Sequence, residues 1–426
     1  MSFRLLFFIF LLFLASGKRF HQCYEGLSTT LKGVHAKRSQ QQVGFTPTSG
    51  ITLTYEHDGN SYASVDLTMK HPTIVIEHIE DVASVGRSKS SLNITFSTPA
   101  AFETGIRSWA QHSSLVFVTK HVAGRDADEE RVFHVASNLH WNRTTRMLTV
   151  DAQKMDLLDI ASSVRASFSS WPFKQQSNTS FTNPVEWETA SLSPAGQDVS
   201  DPPFVDGRTE QGYFDTNFFY TGYLDYDIGN KRPNELYIDA NLTSADVLPL
   251  ILNITAPYND TVSFLENPLS SYIYGIPGIL DIQPTLQYAG GADITAASPT
   301  VARTNLTNGL VDGHIHLDLV NPDNTYISGL WDGNYNSDVV LEPVAGIRIT
   351  PFLELGAMFV VNVTGIETSF VQAFKGTTKS TYVFQLTGTE DACTRTAYAY
   401  SMDAFNLEGW RRTLYNRQDP FTNSCR

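Results

Sequence analysis

Two histidines and an aspartate, His314, His316 and Asp318, recur at every second position and so share one face of an extended strand. Two imidazoles and a carboxylate are the ligand types of a divalent metal site. No further ligand is indicated nearby, and the plainer reading is the polar outer face of a strand. Asp332-Gly333-Asn334-Tyr335-Asn336-Ser337-Asp338 sets oxygen ligands at alternate places, as a calcium loop does. Ser337 stands where such a loop needs glycine, and Pro343 where its closing glutamate belongs. An Asn/Asp-rich turn accounts for the stretch. No metal and no other cofactor is therefore expected.

Strings that carry common reactions are missing. The chain has no G-x-S-x-G elbow, H-E-x-x-H pair, P-loop or dinucleotide fingerprint. A copper site on an N-terminal histidine is not expected, because the expected maturation leaves Lys18 or Phe20, not His21, at the start. Glycoside hydrolysis needs two carboxyls at set distances in space, and 44 Asp plus Glu leave that pair unassigned. The aromatic run Tyr213, Phe214, Phe218, Phe219, Tyr220, Tyr223 and Tyr226 could stack sugar rings through its exposed members. Core packing of a β-domain explains the same residues.

Modification is the chemistry written most often. Eight N-x-Ser/Thr sequons occur, at Asn93, Asn142, Asn178, Asn241, Asn253, Asn259, Asn305 and Asn362. Asn93 stands between Leu92 and Ile94, Asn241 between Ala240 and Leu242, Asn253 between Leu252 and Ile254, and Asn362 between Val361 and Val363. A glycan must face water, which leaves those apolar neighbours to fill a core.

The elements that must position these residues are strands. Leu280, Ile282 and Tyr288 alternate with Asp281, Gln283 and Gln287; Val311, Ile315, Leu317 and Leu319 oppose Asp312, His314, His316 and Asp318. Ile347, Ile349, Leu353 and Leu355 oppose Arg348, Thr350 and Glu354. A period of two marks antiparallel strands with one wet face. One helix stands out. Ser97-Thr98-Pro99 supplies a cap and a first-turn proline, and Phe102, Ile106 and Trp109 recur on one face.

The expected fold is mainly β: two antiparallel β-sandwich-like domains, the first with one short helix packed on its sheet. The divisions are a signal peptide over 1–17, an N-terminal arm over 18–44, a β-rich domain with the helix over 45–168, a Ser/Pro-rich linker over 169–212 and a second β-rich domain over 213–426. The leader has a short positive start, an eleven-residue apolar run from Leu5 to Ala15, and small residues at Ala15-Ser16-Gly17. Eleven residues fall short of the roughly 20 that a membrane span requires, and no later stretch spans, so no transmembrane segment is expected after cleavage. The net charge of −14 repels a phosphate backbone, which excludes nucleic acid as a partner. Of three cysteines, Cys393 and Cys425 share the C-terminal region and are the expected bridge; Cys23 is left over, to pair between chains or stay free.

His71-Pro72-Thr73-Ile74-Val75, Leu92-Asn93-Ile94-Thr95-Phe96, Val132-Phe133-His134-Val135 and Met155-Asp156-Leu157-Leu158-Asp159 resemble the first domain of a family of secreted fungal proteins of unknown function. Ile276-Pro277-Gly278-Ile279 with Gly291-Ala292-Asp293, and Ile349-Thr350-Pro351-Phe352-Leu353-Glu354-Leu355-Gly356, resemble the second domain that usually accompanies it. These motifs are packing patterns and transfer no catalytic residue. The expectation is a secreted, N-glycosylated extracellular or wall-associated protein, non-enzymatic, with cell-wall glycans as its partner class. The alternative is an extracellular hydrolase acting on wall polysaccharide.

Overall fold

The structure is a computed structural model that describes residues 28–30, 32–33, 44–57, 61–88, 90–119, 131–169, 189–192, 198–210, 212–265, 270–271, 273–276, 278–331, 334–341, 347–367, 369–386 and 392–425. The leader, Cys23 and Asn178 lie outside the described residues. Among those described, no helix is long and apolar enough to cross a membrane.

Strands dominate, gathered into two sheets that are antiparallel almost throughout. The larger runs in the order Tyr326–Leu330, Thr300–Asp318, Arg232–Ile254, Tyr213–Asp227, Ala161–Ser169, Ser61–Val75, Leu115–Thr119, Val132–Asn142, Met147–Met155, Ser91–Phe96, Val82–Arg87. The smaller is built around Leu280–Ala296, Ile347–Val363, Phe370–Leu386, Ala392–Asn406 and Arg411–Gln418. Strand Ala161–Ser169 has antiparallel partners on both sides, Ser61–Val75 and Tyr213–Asp227. Through it the larger sheet continues from one half of the chain into the other. Within 169–212, Thr189–Leu192 pairs with Tyr213–Asp227, and Val205–Thr209 pairs with Arg232–Ile254.

Alternation decides what each strand buries. Leu236, Ile238, Ala240, Leu242, Leu248, Leu250 and Leu252 face inward from one long strand, and Ile347, Ile349, Leu353, Leu355, Phe359 and Val361 face them from the other sheet within a single core. Phe218 and Tyr220 carry this core across the gap, with ring centroids 5.8 and 5.5 Å from that of Phe359. Burying such rings between two sheets is the main source of stability in a sandwich.

A second core lies under the helix Pro99–Trp109. Thr98 caps it, its Oγ1 accepting from the Ala101 N–H at 3.1 Å, and Pro99 opens the first turn. Phe102 and Trp109 are buried against Phe96, Phe117 and Trp141, as the spacing predicts. The indole N–H of Trp109 donates to the Phe45 carbonyl at 2.6 Å.

One part of the alternation differs from the sequence reading. Val311 is 63% exposed rather than buried with Ile315 and Leu317. The pairing of Arg232–Ile254 with Thr300–Asp318 slips between Leu242/Gly313 and Ser244/Leu310. A bulge there sets Val311 and Asp312 against the single Thr243, and this one extra residue turns the wet parity from odd to even.

Candidate functional site

The outer face of the larger sheet carries the densest set of functional side chains. Four adjacent strands bring Tyr223, Tyr237, His316 and Tyr326 into one file, although they lie far apart in sequence. Register does this: Tyr223 pairs with Tyr237, Asp239 with His316, and His316 with Tyr326. Ring centroids are 5.6 Å apart for Tyr223 and Tyr237, 5.0 Å for Tyr237 and His316, and 4.8 Å for His316 and Tyr326. These separations approach the spacing of the strands themselves, about 4.8 Å, and the last pair is stacked at 22°. The other two pairs are tilted, at 32° and 40°. Tyr326, on the edge strand, ends the file and is 51% exposed.

Carboxylates flank the file. Nδ1 of His316 lies 2.8 Å from Oδ1 of Asp239, and since a carboxylate only accepts, the imidazole donates there. Nε2 of His314 approaches the same oxygen at 3.7 Å. Burial, and then Asp239, push the Tyr237 phenol up from its ordinary range; burial and then Asp225 do the same at Tyr223. Both tyrosines thus stay neutral donors. A row of hydroxyls, imidazoles and carboxylates on one sheet face is suited to hydrogen bonding a polyhydroxylated ligand.

The metal ligands considered in the sequence are employed otherwise. His316 is engaged as above. Asp318 turns the chain, accepting from the N–H groups of Val320 and Asn321 and from Nδ2 of Asn324. Among the described residues no three potential ligands gather at a metal-binding distance. Within the calcium-loop stretch, residues 332 and 333 lie outside the described ones, and Asn334–Leu341 is a strand paired with Thr300–Asp318.

Seven sequon asparagines are described, and each sits at an exposed or half-exposed position. Five have the amide oxygen held by a neighbour. Thr149 donates to Asn93 at 2.8 Å, Thr295 to Asn259 at 2.9 Å and Ser369 to Asn362 at 2.5 Å. His314 Nδ1 lies 2.5 Å from Oδ1 of Asn241. In Asn142 the oxygen accepts from the Thr145 N–H in a turn. Asn253 and Asn305 face outward on Arg232–Ile254 and Thr300–Asp318. At the tail, Cys393 is the direct register partner of Cys425.

The aromatic run at 213–226 divides by parity. Phe218, Tyr220 and Tyr226 are buried, while Phe219 and Tyr223 face out. Period two in that run was the available signal for Tyr223. Nothing local marks Tyr237 or Tyr326, because only register brings them to the file.

Residues 66–165 match a family model described as a domain of unknown function (DUF7029). The match covers the strands around the helix and ends on Ala161–Ser169, one strand short of the aromatic file. Neither the curated proteins nor the solved structures give a match.

Proposed function

We propose that the protein is a secreted, N-glycosylated extracellular or cell-wall-associated protein whose role is binding or structural, with wall glycans as its partner class. The observation that carries this reading is the display of the sequons. Asn93, Asn241, Asn259 and Asn362 stand at exposed or half-exposed positions with Oδ1 engaged by a neighbouring donor, so the amide oxygen, not Nδ2, which takes the sugar, is the atom these contacts commit. The apolar run and small residues at 5–17 supply the matching leader. The resemblance of both halves to a family of secreted fungal proteins supports a fungal wall as the setting, with the second β-rich half as the usual companion of the first.

The test is expression of the full chain in a eukaryotic secretory host. The medium should contain a protein starting at Lys18 or Phe20, and glycopeptide mass spectrometry should find sugar on the outward asparagines. Incubation with a panel of insoluble wall polysaccharides should retain the protein without releasing reducing sugar. Retention with released sugar would favour the hydrolase instead. An unglycosylated chain left in the cell pellet would overturn the reading.

A further inference from the structure

Asn241 differs from Asn253 and Asn305, on its own strand and the next, in what surrounds it. Its register partners are Phe219 on one side and His314 on the other. Phe219 is half-buried and His314 partly exposed, both on the wet face. One row along, Asp239, His316 and Tyr326 continue the polar strip. Asn253 instead lies between Asp206 and Val301, and Asn305 between Pro249 and Asp338, so neither has an aromatic residue as a register partner.

We propose that Phe219, His314 and the adjoining Asp239–His316–Tyr326 strip form a seat for the oligosaccharide carried by Asn241 itself. The inference rests on the glycosylation proposed above and adds where that one glycan lies. His314 holds Oδ1 of Asn241 and so fixes the amide plane, which sets the direction in which the first sugar leaves Nδ2. A pyranose has an apolar face of C–H groups and a rim of hydroxyls. Phe219 supplies an aromatic surface beside the attachment point, and the hydroxyl, carboxylate and imidazole edges of the strip supply partners for the rim. Because the occupant is tethered within the patch, it loses little translational freedom on settling there, and weak contacts suffice. The sugar chain on Asn241 thus lies down on the sheet, while those on Asn253 and Asn305 stand free in solvent.

Release by an endoglycosidase acting on the native, secreted full-length protein tests this, with each site followed by glycopeptide mass spectrometry. The Asn241 glycan should be freed roughly five- to tenfold more slowly than those of Asn253 and Asn305, the factor expected of one aromatic contact. Phe219→Leu, which keeps an apolar side chain but removes the ring, should bring Asn241 to the rate of the other two. His314→Ala should do the same by freeing the amide. Equal rates at the three sites in the wild-type protein, or an unchanged slow rate in both variants, would overturn the seat. An empty Asn241 in a protein occupied at Asn253 and Asn305 overturns the seat alone; a secreted chain occupied nowhere overturns the proposed glycosylation with it.

Discussion

The ring of Phe168 lies over Gly222, its register partner across the seam between Ala161–Ser169 and Tyr213–Asp227. A Cβ on residue 222 would fall inside that ring and 2.9 Å from the Tyr237 carbonyl oxygen. Gly222→Ala should therefore push Phe168, 3% exposed in the core, off its place. Overpacking of this kind costs about 1–3 kcal/mol, read as a lower urea midpoint with an unchanged slope. Adding Phe168→Leu should restore part of the loss. A Gly222→Ala protein as stable as the wild type would contradict the contact.

Much of this seam's surroundings was legible in the sequence, and the reasons separate what was from what was not. Ile347, Ile349, Leu353 and Leu355 are inward because alternation on one strand is a local property. Helix Pro99–Trp109 begins where its cap and proline stand. By contrast, the pairing of Ala161–Ser169 with Tyr213–Asp227 joins segments on either side of a polar stretch, and no residue in either announces its partner. The same holds for Tyr237, His316 and Tyr326, which meet through register alone. Val311 was misread because a bulge moves the parity without changing the apolar pattern that hides it.

Arg131 and Glu77 form a buried ion pair, Nε to Oε1 at 2.6 Å, with side chains only 1% and 3% exposed. The guanidinium also donates to the Thr54 carbonyl at 2.7 Å and lies 4.7 Å over the Tyr55 ring. Glu77→Gln removes the carboxylate charge held against the buried guanidinium Nε and should cost about 3–5 kcal/mol. Replacing both partners with apolar residues, Arg131→Met with Glu77→Leu, should cost much less, since neither charge then remains to be desolvated. A double-mutant cycle by urea denaturation checks this. Additive losses would show that the two side chains do not act as a pair.

His134 gives the fold an acid-sensitive point. It is 2% exposed, and neither ring nitrogen has a hydrogen-bond partner among the described residues. Burial, and then the charges of Arg87 and Lys154, hold its pKa down at about 4. The unfolded imidazole titrates near 6.5, so between those values the unfolded chain binds the proton and the folded one does not. Stability from this group is present above about pH 6.5 and is lost as pH falls toward 4, by up to about 3 kcal/mol. His134→Leu should remove that component. Urea midpoints measured from pH 7 to pH 4 for both proteins give the comparison, and parallel curves would refute the assignment.

The register of the tail places Cys393 directly opposite Cys425, in the antiparallel pair formed by Ala392–Asn406 and Thr422–Cys425. Directly opposed residues in such a pair have Cα atoms about 4.5–5.5 Å apart, inside the range that a disulfide spans. A bridge here would close a loop that includes strand Arg411–Gln418, itself paired with Ala392–Asn406. Closing about 30 residues contributes roughly 3–4 kcal/mol in the chain-entropy model. Cys393→Ser and Cys425→Ser should each lower the urea midpoint, and the double variant should be no worse than either, because both remove the same bond. Cys23→Ser should change little. Peptide mapping without reduction decides the matter: a Cys393–Cys425 peptide pair is expected, and a link from Cys23 to either would mean that the N-terminal segment, not the tail, is what the bridge ties to the smaller sheet.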